Sequence, residues 1–166
     1  MKPWKEIDVL IPVFKSTFGQ VLDFDRFNSI VLTFHSTAIE GSTLSLSDAE
    51  LLLDKGLTPK GKPVQHQQMV LDHHQALLAT LKLAEGKTPL STRLIQDIAG
   101  KVMKNTGSVI NTAMGTYDSS KGDLRLNNVR AGNQYFINYD KVKPALEGLV
   151  SKVNQSLTEV VSPKEV

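Results

Sequence analysis

Cysteine is absent from the 166 residues. A disulfide framework, a thiolate metal site and a thiol nucleophile are therefore excluded. Arginine is scarce: of 19 lysines and arginines only Arg26, Arg93, Arg125 and Arg130 are arginine, and they lie scattered along the chain. With a net charge of +2 and no basic stripe, nucleic acid is not an expected partner. Long apolar runs are also missing. The stretch VLIPV is broken by Pro12 and falls far short of the roughly 20 residues that span a bilayer. Lys2, Lys5, Glu6 and Asp8 leave no apolar stretch for a secretion signal. No membrane partner is expected, and the cytoplasm is the default setting. Repeats and low-complexity segments are absent too.

What is present is an ordinary soluble composition, 40% hydrophobic and 22% charged, long enough for one good core. Phe24, Phe27, Ile30, Val31 and Phe34 recur at helical spacing, which predicts a helix over 23–40 with a buried aromatic face and a stop at Gly41. A second helix is expected from Ser47, with Glu50 at capping-box spacing, through Leu51, Leu52 and Leu53 to Gly56. A loop over 57–63 leads to a third helix, Val64 to Ala84, on Met69, Val70, Leu77, Leu78 and Leu81, closed by Gly86. Ser91 opens a fourth through Leu94, Ile95, Ile98 and Val102.

From Gly107 the period of 3.6 disappears. Leu124 and Leu126, then Tyr135 and Ile137, alternate about a turn at Ala131 to Asn133 and predict one small hairpin at about 123–138. A last helix is expected over 140–159 on Val142, Leu146, Leu149, Val153 and Leu157. The expected fold class is mainly α, a helical bundle with one small β-hairpin.

Glu40 stands out because a carboxylate sits on the last turn of a helix, where the dipole favours cations. Ser36, four residues earlier, shares its face. Either Glu40 is a solvated surface side chain or it waits for a guanidinium partner elsewhere. His66 and His73 are seven apart with Asp72 and His74 adjacent, but no third ligand is at hand and His73 and His74 point about 100° apart on a helix, so packing or surface roles are expected and no metal. Asp118 and Asp123 read as turn formers, Arg125 as either a flap anchor or a solvated strand residue, and Trp4 as an anchor for the N-terminal segment.

The segment STAIEG, Ser36 to Gly41, matches the inhibitory signature (S/T)-x-x-x-E-(G/N) of Fic proteins, and its continuation STLSLSDAELLLDKG resembles what usually follows in that family. MVLDHHQALLATL and LSTRLIQDIAGKVMKN resemble its next two helices, and GDLRLNNV fits G-x-(aromatic)-R-x-x-x-V through Gly122, Arg125 and Val129, with Leu124 in place of the aromatic residue. The resemblance implies an inhibitory segment within 1–60 built on Ser36, Glu40 and Gly41, and an incomplete Fic core over 61–166. In that core Gly122, Arg125 and Val129 position a flap that aligns a target segment as an added strand.

The family's catalytic signature, H-x-F-x-(D/E)-G-N-(G/K)-R, does not occur, since no histidine follows His74. By resemblance, the chain is expected to be a fragment ending ahead of that segment, with no catalytic residue of its own. The resemblance implies that the intact protein transfers AMP from ATP, with magnesium, to protein hydroxyls, and that neither ATP nor magnesium binds this chain alone. Its partners would be a protein substrate and the missing catalytic segment. A second reading is an antitoxin-like inhibitor that binds a Fic enzyme in trans, and a third is a non-catalytic helical interaction module. A fragment would expose apolar surface, Phe24 to Phe34 included, so a homodimer or marginal stability is expected.

Overall fold

The computed structural model describes residues 3–18 and 23–159, with side-chain environments for 9–17 and 23–158. Six helices and two short antiparallel hairpins follow one another: α1 Pro3–Phe18, α2 Phe24–Ile39, α3 Leu46–Lys55, α4 Val64–Glu85, α5 Thr92–Val102, β1 Val109–Thr112, β2 Gly115–Asp118, β3 Arg130–Ala131, β4 Gln134–Tyr135 and α6 Tyr139–Glu159. The expected mainly-α bundle is what forms. No helix among the described residues is long and apolar enough to cross a membrane.

Helix α1 was not expected, because Pro12 interrupts its apolar run. The proline sits inside the helix and forgoes one backbone bond without ending it. Val9, Leu10, Ile11 and Val13 are exposed on it, and Phe14 meets Phe24 of α2 edge to face at 5.2 Å. The expected role of Trp4 concerns a side chain outside the described residues, as does the VVSPKEV terminus.

Helix α2 is capped by Asp23, whose carboxylate accepts from the Arg26 N–H at 3.0 Å. The expectation of a buried aromatic face needs correction. Phe24 and Phe27 are 40% and 43% exposed, and the buried stripe is Ser29, Ile30, Thr33 and Thr37. Small residues at four-residue spacing let α2 approach α4 closely, and their hydroxyls turn back onto the helix: Ser29 Oγ donates to Arg26 O and Thr37 Oγ1 to Thr33 O.

The cap of helix α3 is Ser45, two residues before the expected Ser47. Ser45 and Asp48 form the capping box, so Glu50 is not its acid. Both serine–acid pairs have the right spacing, and burial decides between them. With Ser45 as cap, Leu44 before it and Ala49 within the helix both enter the core cluster with Ile30, Leu52 and Val70, the arrangement of a hydrophobic staple. Gly56 ends the helix at φ +64°.

Helix α4 packs between α2 and α5 and holds a buried carboxylate, Asp72, 2% exposed. That carboxylate accepts from the Asn105 N–H at 2.7 Å and from Asn105 Nδ2 at 2.6 Å, fixing the loop that leaves α5. The next contact is made by backbone. Gly122 (φ +73°) lies under α5, where a Cβ would stand 1.8 Å from the Gln96 carbonyl oxygen.

The hairpin region also differs from expectation. There are two hairpins: β1–β2 pairs Val109 with Asp118 through Thr112 with Gly115, and β3–β4 pairs Arg130 with Tyr135 and Ala131 with Gln134. Leu124 and Leu126 are not strand residues. Their irregular segment lies against the first hairpin, where the Leu126 carbonyl accepts from Thr112 Oγ1 and Asn127 Oδ1 accepts from the Tyr117 hydroxyl. Helix α6 is fastened to the residue ahead of α5 by Asn154, whose side chain accepts from the Leu90 N–H and donates to the Leu90 carbonyl.

Two substitutions test these contacts. Gly122→Ala forces α5 off the turn and requires a strained left-handed alanine, so urea unfolding should show a loss of about 3 kcal/mol. Asp72→Ala leaves two Asn105 donors unpaired and should cost about as much, roughly 3 kcal/mol, by the same measurement.

Candidate functional site

The last turn of α2 is closed by a complete C-terminal motif. The Gly41 N–H donates to Ala38 O at 3.0 Å and the Ser42 N–H to Thr37 O at 2.9 Å, with Gly41 at φ +94°. A Cβ at Gly41 would touch nothing within 4 Å, so the turn requires glycine for its backbone angle and not for space. Glu40 occupies the capping position and is exposed, while Ser36, one turn earlier, is half-buried. The Glu40 carboxylate makes no ion pair or hydrogen bond among the described residues. It faces solvent from the negative end of the helix, where the dipole disfavours an anion.

The chain beyond this turn is pinned. The Thr43 N–H donates to His66 Nδ1 at 3.1 Å, with the Thr43 hydroxyl 3.0 Å from the same nitrogen. The Thr43 carbonyl accepts from Lys62 Nζ at 2.6 Å. Lys62 also pairs with Asp48 at 3.2 Å. Hydrogen bonds from Ser45, backbone first, hold the Asp48 carboxyl below its usual range, with Lys62 adding to the effect.

The second group lies on the flap. Arg125 is half-buried and outside any strand. Its guanidinium donates to the Asn127 carbonyl at 2.5 Å and to the Ile137 carbonyl, so it closes the base of the β3–β4 hairpin. The Phe136 N–H donates to Val129 O at 3.2 Å, and the Tyr139 N–H to Asn128 Oδ1 at 3.0 Å. Gly122 is the buried pivot under α5, held further by Gln96 Nε2 on its carbonyl. Tyr135, Phe136 and Ile137 stand out from the hairpin, 70%, 51% and 50% exposed. No hydrogen bond or ion pair among the described residues joins the Ser36–Gly41 group to the Gly122–Val129 group. They share a scaffold because α2 packs on α4, α4 on α5, and α5 on the turn before the flap.

A Fic domain containing signaling protein from Bacteroides thetaiotaomicron VPI-5482 is similar to this chain with a TM-score of 0.60 and 17% sequence identity, over 84% of this chain and 52% of that chain. The fold is Fic-like. This chain spans about half the length of that Fic protein. No family model matches the sequence, and no curated protein matches it.

The remaining candidates resolve into structural contacts. His66 faces Thr43, His74 Nδ1 lies 3.2 Å from Thr33 Oγ1 of α2, and the buried His73 Nδ1 has no hydrogen-bond partner among the described residues. No three His, Asp or Glu side chains among the described residues converge to hold a metal ion. Asp118 accepts from Ser120 N and Oγ, and Asp123 from the Asp118 N–H, so both shape their turn. Thr33, Thr37, Thr43 and Asn105 were missed by sequence reasoning. The Ser29, Thr33, Thr37 spacing was the available signal, a ridge of small residues that marks close helix approach.

Burial pushes the His73 imidazole down, and it pushes His74 down as well, with the neighbouring His73 adding to the effect. A folded-state value below the ordinary 6.5 means that both rings contribute full stability above that pH and lose it as the pH falls toward their folded values. The melting temperature should therefore drop between about pH 7.5 and pH 5, and a His73→Gln/His74→Asn double variant should show a smaller drop in differential scanning calorimetry.

Proposed function

We propose that these residues form the regulatory and target-positioning part of an autoinhibited Fic-type protein adenylyltransferase, which transfers AMP from ATP to protein hydroxyls in the cytoplasm. The observation that carries this reading is Glu40, an exposed carboxylate without a partner among the described residues, at the unfavourable end of α2 on a turn whose backbone is bonded through Gly41 and Ser42. An anion held in that place is poised to receive a guanidinium. In this reading the guanidinium is the final arginine of the H-x-F-x-(D/E)-G-N-(G/K)-R segment, supplied from outside these 166 residues. Bidentate pairing with Glu40 then occupies the arginine and keeps it from a phosphate. Ser36 flanks the gate on the same helical face, and Gly41 turns the chain away.

The residues present do not themselves fit ATP or magnesium. They include no converging acids for a metal and no catalytic histidine segment. The chain's own contribution is the gate and the flap. The flap's strands are two residues each and their flanks expose Tyr135, Phe136 and Ile137, so a target segment can pair along an open edge while apolar side chains grip it. Arg125 keeps that edge in register by clamping both ends of the hairpin.

Glu40→Gly tests this reading in a polypeptide that carries these residues together with the catalytic segment. Transfer of labelled AMP to protein should rise about tenfold or more, the effect of removing a pair of roughly 1.4 kcal/mol. Unchanged transfer and unchanged ATP binding would overturn the gate.

A further inference from the structure

The proposed gate is followed by a turn that an imidazole helps to pin. Thr43, three residues beyond Glu40, points its backbone N–H at His66 Nδ1. A backbone N–H can only donate, so Nδ1 must present its lone pair, and the ring must be neutral with its proton on Nε2. The hydroxyl of Thr43 lies against the same atom. His66 sits on the first turn of α4, a helix built into the core through Val70. The tie therefore joins the end of the gate segment to the rigid body of the fold.

We propose that His66 is a positioning residue that latches the turn after Glu40, and that protonation of its ring opens the latch and frees the gate segment. A proton on Nδ1 sets N–H against N–H. The Thr43 hydroxyl can rotate to accept from the charged ring, but the backbone amide then has no acceptor. The charged groups tied to the same turn are Lys62, which bonds the Thr43 carbonyl, and Asp48 of α3, which pairs with Lys62. Acidification thus loosens the turn that follows Glu40, while the Asp72 and Gly122 contacts contain no imidazole.

The regulatory meaning of this latch rests on the gate reading, but its mechanics do not. The test is amide hydrogen exchange by NMR on the 166-residue chain, expressed as protection relative to the unstructured rate at each pH, with the Val70 amide as a core control. Protection at Thr43 should fall about tenfold between about pH 7.5 and pH 5, following the titration of the His66 ring, while Val70 changes far less. In His66→Asn, whose Oδ1 can accept the same bond and takes no proton, Thr43 protection should stay within about twofold over that range.

An equal fall in His66→Asn, or flat protection in the unaltered chain, would overturn the latch. If the variant does not fold, the ring nitrogen shifts of the unaltered chain decide. A Thr43 amide that follows the His66 midpoint supports the proposal, and one that follows His73 or His74 sinks it. Flat exchange would leave the Glu40 gate standing without its latch. Transfer indifferent to Glu40→Gly would leave the exchange result intact.

Discussion

A carboxylate buried without a cation is the constraint on which this fold turns. Asp72 lies inside the molecule, on the middle of α4, and is held there by the backbone and side-chain N–H groups of Asn105. Such a group is tolerated only when its oxygens are answered by donors at close range. The need to answer it fixes where the chain goes after α5, and so where the hairpins begin. Helix α4 repeats the device along its length. Gln67 binds the Lys62 carbonyl, His66 binds Thr43, and His74 meets Thr33. Each polar side chain secures one segment that the apolar core alone would leave loose, since that core is small: Ile30, Leu44, Ala49, Leu52 and Val70.

This division of labour separates affinity from geometry. The apolar cluster holds α2, α3 and α4 together without direction, while the hydrogen bonds choose one arrangement among those that bury similar area. The consequence is clearest at α2. Its large side chains, Phe24 and Phe27, stay substantially exposed, and its small hydroxylated ones are buried. The helix is therefore set by close approach and by bonds to its own carbonyls, which keeps its last turn, and Glu40 with it, in a defined place.

The sequence was most readable where a single local rule sufficed. Five of the six helices follow from the spacing of apolar residues and from Ser91, Gly41 and Gly56 at their ends. The failures came where two local rules tied or where partners lie far apart in the chain. Ser45 and Ser47 each have an acid three residues on, and only the burial of Leu44 and Ala49 separates them. The β1–β2 hairpin has few large apolar residues to alternate, and its turn is held by Thr112, whose hydroxyl bonds the Gly115 carbonyl and accepts from the Met114 N–H. Leu124 and Leu126 alternate as strand residues do, yet they belong to a segment laid across that hairpin. Pro12 marks a helix break in most contexts, but α1 runs through it.

The candidate site divides the same way. The Ser36–Gly41 spacing and the glycine stop were visible in one stretch of chain, because helix period and left-handed turn are local properties. Arg125 was read as either a flap anchor or a solvated strand residue, and the sequence could not decide, since its two acceptors, Asn127 and Ile137, are carbonyls that carry no sequence signature. His66 was read as a packing or surface residue, with no partner named. Its actual partner is a backbone amide 23 residues away, brought close by the capping of α3 and the loop before α4. Side-chain chemistry can be read from a sequence, but the backbone groups it serves become known only once the fold has placed them. In a protein whose candidate turn is held by such bonds, the residues that position the turn lie outside the motif that first draws notice to it.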